Sequence, residues 1–98
     1  MSKDEIKVYP IIIHYDPRDV VSYEVKIPDL DGITEGYSIK DAIMMAKDYI
    51  GTYSLVRPLP STNSILPKVS NSNDIVTLVE VNVSEYQRKY DNKVVKKF

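Results

Sequence analysis

The sequence predicts an α+β domain in which an antiparallel sheet carries one helix on a face, in the order β-β-β-α-β. Two patterns predict this fold class. Residues 21–27 alternate between apolar and polar side chains, which is typical of a strand with one buried face. Between residues 39 and 53, apolar side chains recur at steps of three and four, which indicates a helix with one face against a sheet.

The length and composition fit one globular domain and exclude several kinds of site. The chain has 98 residues, of which 43% are hydrophobic and 28% are charged. Because it has no cysteine, a disulfide framework, a thiolate zinc site and a cysteine nucleophile are excluded. The one histidine, His14, is too little material for a histidine-rich metal site. The net charge of −1 argues against general nucleic-acid binding.

The chain shows no sign of a membrane segment or an export signal. No apolar run approaches the roughly 20 residues that a membrane span needs. Residues 1–7 are polar and charged, without the apolar stretch of a signal peptide. We therefore expect a soluble cytoplasmic protein.

Three strands are predicted ahead of the helix. The first spans residues 8–15 and has apolar side chains on both faces, with Tyr9 placed on the face opposite Ile11. Pro10 cannot donate to a neighbouring strand, so it is expected near the strand start or on an edge of the sheet. Residues 21–27 form the second strand, and a short third strand pairs back on it to complete an antiparallel meander.

Turn and cap residues separate these elements. Pro28 ends the second strand, and Asp29 and Gly32 supply the turn that follows, with Gly32 free to take a positive φ. Gly36 permits a close approach where the third strand leads into the helix. Ser38 is expected to cap the N-terminus of that helix.

The middle of the chain is predicted to hold the end of the helix, a long loop and the last strand. The helix is expected to weaken at Gly51, which costs about 1 kcal/mol inside a helix, and to end before Pro58. Residues 56–74 hold three prolines among serine, threonine and asparagine, and they predict an irregular loop. The valine-rich residues 75–83 predict the last strand.

The C-terminal part is predicted to hold a short helical turn over residues 84–92. The chain then divides into one domain, residues 1–92, and a basic tail, residues 93–98. Residues 85–98 hold five basic and two acidic side chains, whereas residues 24–48 hold six acidic and three basic ones. An acidic surface of this kind suits a partner whose own surface is basic because it binds RNA.

Four stretches of the chain occur in an order that is typical of a known family. They are Tyr9-Pro10-Ile11-Ile12-Ile13, Ile27-Pro28-Asp29-Leu30-Asp31-Gly32, Thr34-Glu35-Gly36-Tyr37-Ser38 and Asp41-Ala42-Ile43-Met44-Met45-Ala46. This order resembles the HicB-like antitoxins of bacterial toxin–antitoxin pairs. The resemblance covers roughly residues 8–90, and the Pro28–Ala46 block is its most specific part.

The resemblance implies a fold, a role and a partner. The fold would be a partial ribonuclease-H-like domain. The role would be to bind and neutralise a small basic HicA-like toxin, which cleaves RNA, without any catalysis by this chain. Many members of the family add a C-terminal DNA-binding domain, and this chain ends before one. We therefore do not expect this chain alone to bind DNA.

Two other functions stay open from the residues alone. Asp29, Asp31 and Glu35 cluster around the second turn, and a group of carboxylates would suit a metal-dependent nuclease. Turns favour aspartate for local hydrogen bonds, however, so we expect structural roles there, with no catalytic residue, no metal and no cofactor. The other alternative is an orphan protein-interaction scaffold.

Tyrosine is unusually frequent, and its side chain is enriched at protein interfaces. Of the 8 tyrosines, Tyr23 and Tyr53 fall on core positions. The residues that we expect to contact a partner are Tyr37, Met44, Asp48, Tyr49, Tyr86 and Tyr90. Because an antiparallel sheet leaves edge strands, we also expect a homodimer formed through a sheet edge or through the loop of residues 56–74.

Overall fold

The computed structural model describes the backbone of residues 3–95 and the side chains of residues 3–90. It contains a four-stranded antiparallel sheet and two helices, which confirms the predicted α+β class. The elements are β1 (Ile6–Tyr15), β2 (Tyr23–Ile27), β3 (Gly32–Gly36), α1 (Ile39–Val56), β4 (Ile75–Asn82) and α2 (Val83–Val95). Within residues 3–95, neither helix has the length and apolar character that crossing a membrane requires.

The strands lie in the order β3-β2-β1-β4, and each runs antiparallel to its neighbours. The predicted meander of the first three strands is confirmed. β1 is central because residues 12–15 pair with β2 while residues 6–13 pair with β4. β3 and β4 are therefore the outer strands, and α1 packs across one face of the sheet.

The core lies between α1 and one face of the sheet. Its main residues are Tyr9, Ile11, Ile13, Val25, Ile27, Val79 and Val81 of the sheet and Ala42, Ala46 and Ile50 of α1. The expected place of Tyr9 opposite Ile11 is wrong, because side chains two apart in a strand share a face. Tyr9 is fully buried, which raises its pKa to about 12, and its hydroxyl donates to the carbonyl oxygen of Pro60.

Pro10 is buried in the middle of β1, so its predicted position at a strand start or a sheet edge is wrong. The backbone N–H and C=O of Val8 both bond to the Thr62 hydroxyl, and the C=O also accepts from the Asn63 N–H at 2.9 Å. The N–H and C=O of Val8 therefore point away from β4. Backbone groups two residues apart in a strand point the same way, so the nitrogen of Pro10 also points away from β4. β2 has already ended beside Pro10, so no ladder hydrogen bond is lost.

The connection between β2 and β3 differs from the predicted turn. Pro28–Leu30 form one turn of 3₁₀ helix, and the following Asp31 takes the left-handed conformation with φ of 50°. Because aspartate tolerates that conformation, Gly32 takes no positive φ and instead begins β3. Gly32 provides space, since a Cβ there would lie 2.5 Å from the ring of Tyr49.

α1 begins at the predicted cap and extends beyond the predicted weak point. The Ser38 hydroxyl accepts a hydrogen bond of 3.0 Å from the Asp41 N–H, which satisfies one of the free amides of the first turn. Gly36 allows β3 to approach this turn closely, because a Cβ there would lie 2.5 Å from the backbone nitrogen of Ala42. The helix continues to Val56.

α2 is longer than the helical turn predicted over residues 84–92. It has 13 residues and includes residues 93–95, which the sequence places in the basic tail. The rest of that tail, residues 96–98, lies outside the described residues. The prediction of one helix is corrected to two.

The N-terminal segment fastens α2 to the sheet. The Glu5 N–H donates to the Ser84 hydroxyl at 2.7 Å, and the Asp4 carboxylate accepts from the Arg88 guanidinium at 2.9 Å. The hydrogen bond from Arg88 lowers the pKa of Asp4 to about 2. The start of α2 therefore lies beside the residues that precede β1.

Candidate functional site

A groove of about 620 Å³ lies between α1, α2 and the outer edge of β4. Three consecutive residues of β4 line it: Glu80, Val81 and Asn82. Because alternate strand residues point to opposite faces of a sheet, a cavity that touches three in a row lies beside the strand. The remaining lining residues are Asp41, Met44, Met45, Lys47, Asp48, Glu85, Tyr86 and Lys89. We call this cavity the edge groove.

Two methionines supply apolar surface to the edge groove. Met44 and Met45 are 58% and 38% exposed. They stay outside the core because α1 turns its buried stripe, which includes Ala42 and Ala46, toward the sheet. The flexible, polarizable side chain of methionine adapts to irregular partner surfaces. This part of the groove therefore suits contact with another protein.

Tyr86 forms the wall of the edge groove on the α2 side. Its ring lies against α1 at Gly51, where a Cβ would sit 2.5 Å from the ring carbon Cδ2. Its hydroxyl donates to Asp48 Oδ1 at 2.8 Å and lies 2.9 Å from Thr52 Oγ1. The ring also stacks on Tyr90 with 4.7 Å between centroids. Burial raises the pKa of Tyr86 to about 12, so the phenol stays protonated as a donor.

The structure brings together only some of the six residues predicted to contact a partner. Those that line the edge groove are Met44, Asp48 and Tyr86. Tyr90 is next to them through its stacking on Tyr86. Tyr49 is half-buried and lines a second cavity of about 420 Å³, which shares Met45 and Asp48 with the edge groove. Tyr37 is 69% exposed ahead of α1, outside the linings of both cavities.

The rim of the edge groove is acidic. The acidic residues of the rim are Asp41, Asp48, Glu80 and Glu85, and its basic residues are Lys47 and Lys89. Glu80 and Glu85 are exposed and were missed by the sequence prediction, since they lie on different elements from Asp48. The only signal for Glu80 is its polar place in the alternation of β4. Four acidic and two basic side chains make the rim attractive to a basic surface.

Two of the three acidic residues near the β2–β3 connection, Asp29 and Asp31, have local structural roles. The side-chain amide of Asn63 donates to both carboxylate oxygens of Asp29, at 3.2 and 3.0 Å. Asp31 takes the left-handed conformation that ends the 3₁₀ turn, and Glu35 is exposed on β3. In the part of the chain that the structure describes, no group of three or more histidine, aspartate and glutamate side chains could hold a metal ion.

His14 is also engaged in a local contact. Its Nδ1 lies 2.7 Å from Asp74 Oδ1, which joins the end of β1 to the loop before β4. The hydrogen bond to Asp74 raises the pKa of His14, with smaller contributions from other acidic neighbours. This geometry ties a loop to the sheet.

Comparisons with known proteins bear on the fold. A scan against protein-family models and a search of curated proteins found no match. Among solved structures, this chain is similar to a chain of one described as a toxin–antitoxin complex from Streptococcus pneumoniae, with a TM-score of 0.63 and 19% sequence identity. The match covers 95% of this chain and 88% of that chain. The likeness therefore shows a shared fold over nearly the whole described domain.

Proposed function

We propose that this chain is an antitoxin-type binding protein that neutralises a small basic HicA-like ribonuclease toxin by direct complex formation. The edge groove carries the proposal, because it combines exposed methionines with an acidic rim. A toxin that binds RNA needs a basic surface for the phosphates, and an acidic rim attracts such a surface. The HicB-like order of motifs and the fold shared with a chain of a toxin–antitoxin complex support the same role.

Several finer features belong to the same proposal. The sheet with α1 on one face is a partial ribonuclease-H-like domain, and the chain acts in the cytoplasm without a cofactor. It is a binding protein and not an enzyme, which is supported by the hydrogen bonds that the Asn63 side-chain amide donates to both carboxylate oxygens of Asp29. The chain alone does not bind DNA specifically.

Self-association is a further part of the proposal. β3 and β4 are the outer strands, and the long loop after α1 carries exposed Ile65 and Leu66. We expect two copies to associate through a sheet edge or through this loop. Light scattering at high micromolar concentration measures the mass, and a monodisperse monomer would contradict the homodimer.

Co-expression with the product of the neighbouring small reading frame tests the function. We expect that product to arrest growth alone, and to co-purify with this chain when both are made. Met44→Arg places a positive charge in the edge groove, so it should weaken the complex by about tenfold or more. Val20→Arg adds the same charge at a residue 89% exposed and outside the groove, and should leave binding unchanged. A neighbouring product that is not toxic, or that forms no complex, would refute the proposal.

A further inference from the structure

The outer edge of β4 presents backbone hydrogen-bonding groups at alternate residues. The Val83 N–H donates to the Glu5 carbonyl oxygen at 2.9 Å, on the side of β1. Odd-numbered residues of β4 share this direction, so Leu78 and Glu80 direct their N–H and C=O groups outward. Within residues 3–95, no strand pairs with this edge. The edge groove lies beside the same residues.

β4 has few of the features that normally protect an outer strand. Outer strands are usually kept apart from other chains by proline, by lysine, by a bulge or by shortness. β4 is 8 residues long and contains neither proline nor lysine. Leu78, whose backbone N–H and C=O point outward, is 38% exposed. β3, at the other edge, has 5 residues and begins and ends with glycine. β4 is therefore the better template for an added strand.

We infer that the partner adds an extended segment to the outer edge of β4, with hydrogen bonds to the backbone of Leu78 and Glu80. Apolar side chains of that segment reach Met44 and Met45 in the edge groove, and basic ones meet its acidic rim. The inference rests on the proposed function, since the occupant is the basic toxin. A second copy of this chain fits less well, because two acidic rims would face each other.

Proline substitution separates backbone pairing from charge. Glu80→Pro removes an outward N–H without removing a hydrogen bond between β1 and β4, whereas Glu80→Ala removes only the carboxylate. Glu35→Pro is the matched control on the outer edge of β3. With the purified neighbouring product in calorimetric titration, we expect Glu80→Pro to weaken binding by about tenfold or more. Glu80→Ala removes one charge of the acidic rim and should weaken binding by no more than about fivefold. Glu35→Pro, away from the edge groove, should change the affinity by less than about threefold.

Amide hydrogen exchange on the unmodified protein gives a second measurement that does not depend on a variant's folding. The amides of Leu78 and Glu80 should become protected when the complex forms, while those of Ile33 and Glu35 on β3 should not. If the complex forms but these β4 amides stay unprotected, or if Glu80→Pro binds as well as Glu80→Ala, the strand-addition inference is wrong and the proposed function stands. If the unmodified chain does not bind the neighbouring product, both fall. Protection of the β4 amides by self-association alone would assign the edge to a second copy.

Discussion

Gly32 and Gly36 are the first and last residues of β3, and a methyl group added at each would contact a different part of α1. At Gly36 a Cβ would lie 2.5 Å from the backbone nitrogen of Ala42, which cannot move without shifting the start of α1. At Gly32 it would meet the far end of the Tyr49 ring, which can rotate away. We therefore expect Gly36→Ala to lower the free energy of unfolding by about 2–3 kcal/mol and Gly32→Ala by about 1 kcal/mol. Urea denaturation measures both, and equal losses would contradict this ranking.

The contact between His14 and Asp74 makes stability depend on pH. Asp74 raises the pKa of His14 above its ordinary value of 6.5, so the folded state binds the proton more tightly than the unfolded state. The stabilisation is fully present below about pH 6.5 and is lost as the pH rises through the folded pKa. We expect a higher Tm at about pH 6 than at about pH 8.5, a range in which carboxylates stay ionised.

Asp74→Asn should flatten this dependence, because the amide cannot stabilise the imidazolium as a carboxylate does. Asp19→Asn, at an exposed turn residue, serves as the control and should keep the slope of the unmodified protein. A slope that survives Asp74→Asn would show that another group controls the pH dependence.

The sequence predicts residues whose roles are local better than residues whose roles depend on distant neighbours. Ser38 caps α1 through a residue three positions later, so its pattern is visible in the sequence. Gly32 needs space because of Tyr49 on α1, and Pro10 is tolerated because β2 ends beside it. Neither reason can be recognised before the elements are placed in space.

At the scale of elements, Gly51 controls how α2 docks on α1. A Cβ at Gly51 would lie 2.5 Å from the Tyr86 ring, and displacing the ring breaks its hydrogen bonds to Asp48 and Thr52. We expect Gly51→Ala to destabilise the protein by about 1–2 kcal/mol, although alanine is favoured in helices by about 1 kcal/mol. Thermal and urea unfolding measure the change.

In a variant that lacks the Tyr86 ring, we expect Gly51→Ala to change the free energy of unfolding in the opposite direction. In a Tyr86→Ala background the ring is absent, so Gly51→Ala should stabilise the protein by about 0.5–1 kcal/mol through helix propensity alone. If Gly51→Ala destabilises both backgrounds equally, Tyr86 is not the cause.

The elements whose apolar residues recur most regularly in the sequence are the ones whose bounds the sequence predicts best. β2 alternates strictly and α1 carries a clear apolar stripe, and both are present at nearly the expected bounds. α2 is mostly polar, and its packing depends on Val83 and Tyr86, so its period is weak in the sequence. The edge groove joins three elements, and only the strand order shows that β4 is an outer strand.

At the scale of the whole molecule, the distribution of charge matters more than the net charge of −1. The acidic rim of the edge groove should attract a basic partner from a distance, so the association rate should fall by about tenfold between about 50 and 300 mM salt. Replacing Glu80 and Glu85 together by glutamine should reduce this dependence. The matched control replaces Glu24 and Glu35, which are paired across β2 and β3, by glutamine. Stopped-flow measurements test this, and equal slopes for both double variants would contradict it.

The place of β1 in the centre of the sheet has a consequence for the newly made chain. Residues 6–13 pair with residues 75–82, so β1 is synthesised well before β4, its neighbour on one side. At about 5–20 residues per second, roughly 4 to 14 s separate the two strands. During that interval Tyr9, Ile11 and Ile13 lack the cover that Val79 and Val81 later provide. Every new copy therefore passes through several seconds in which a strand of its core is open to any chain that can pair with it.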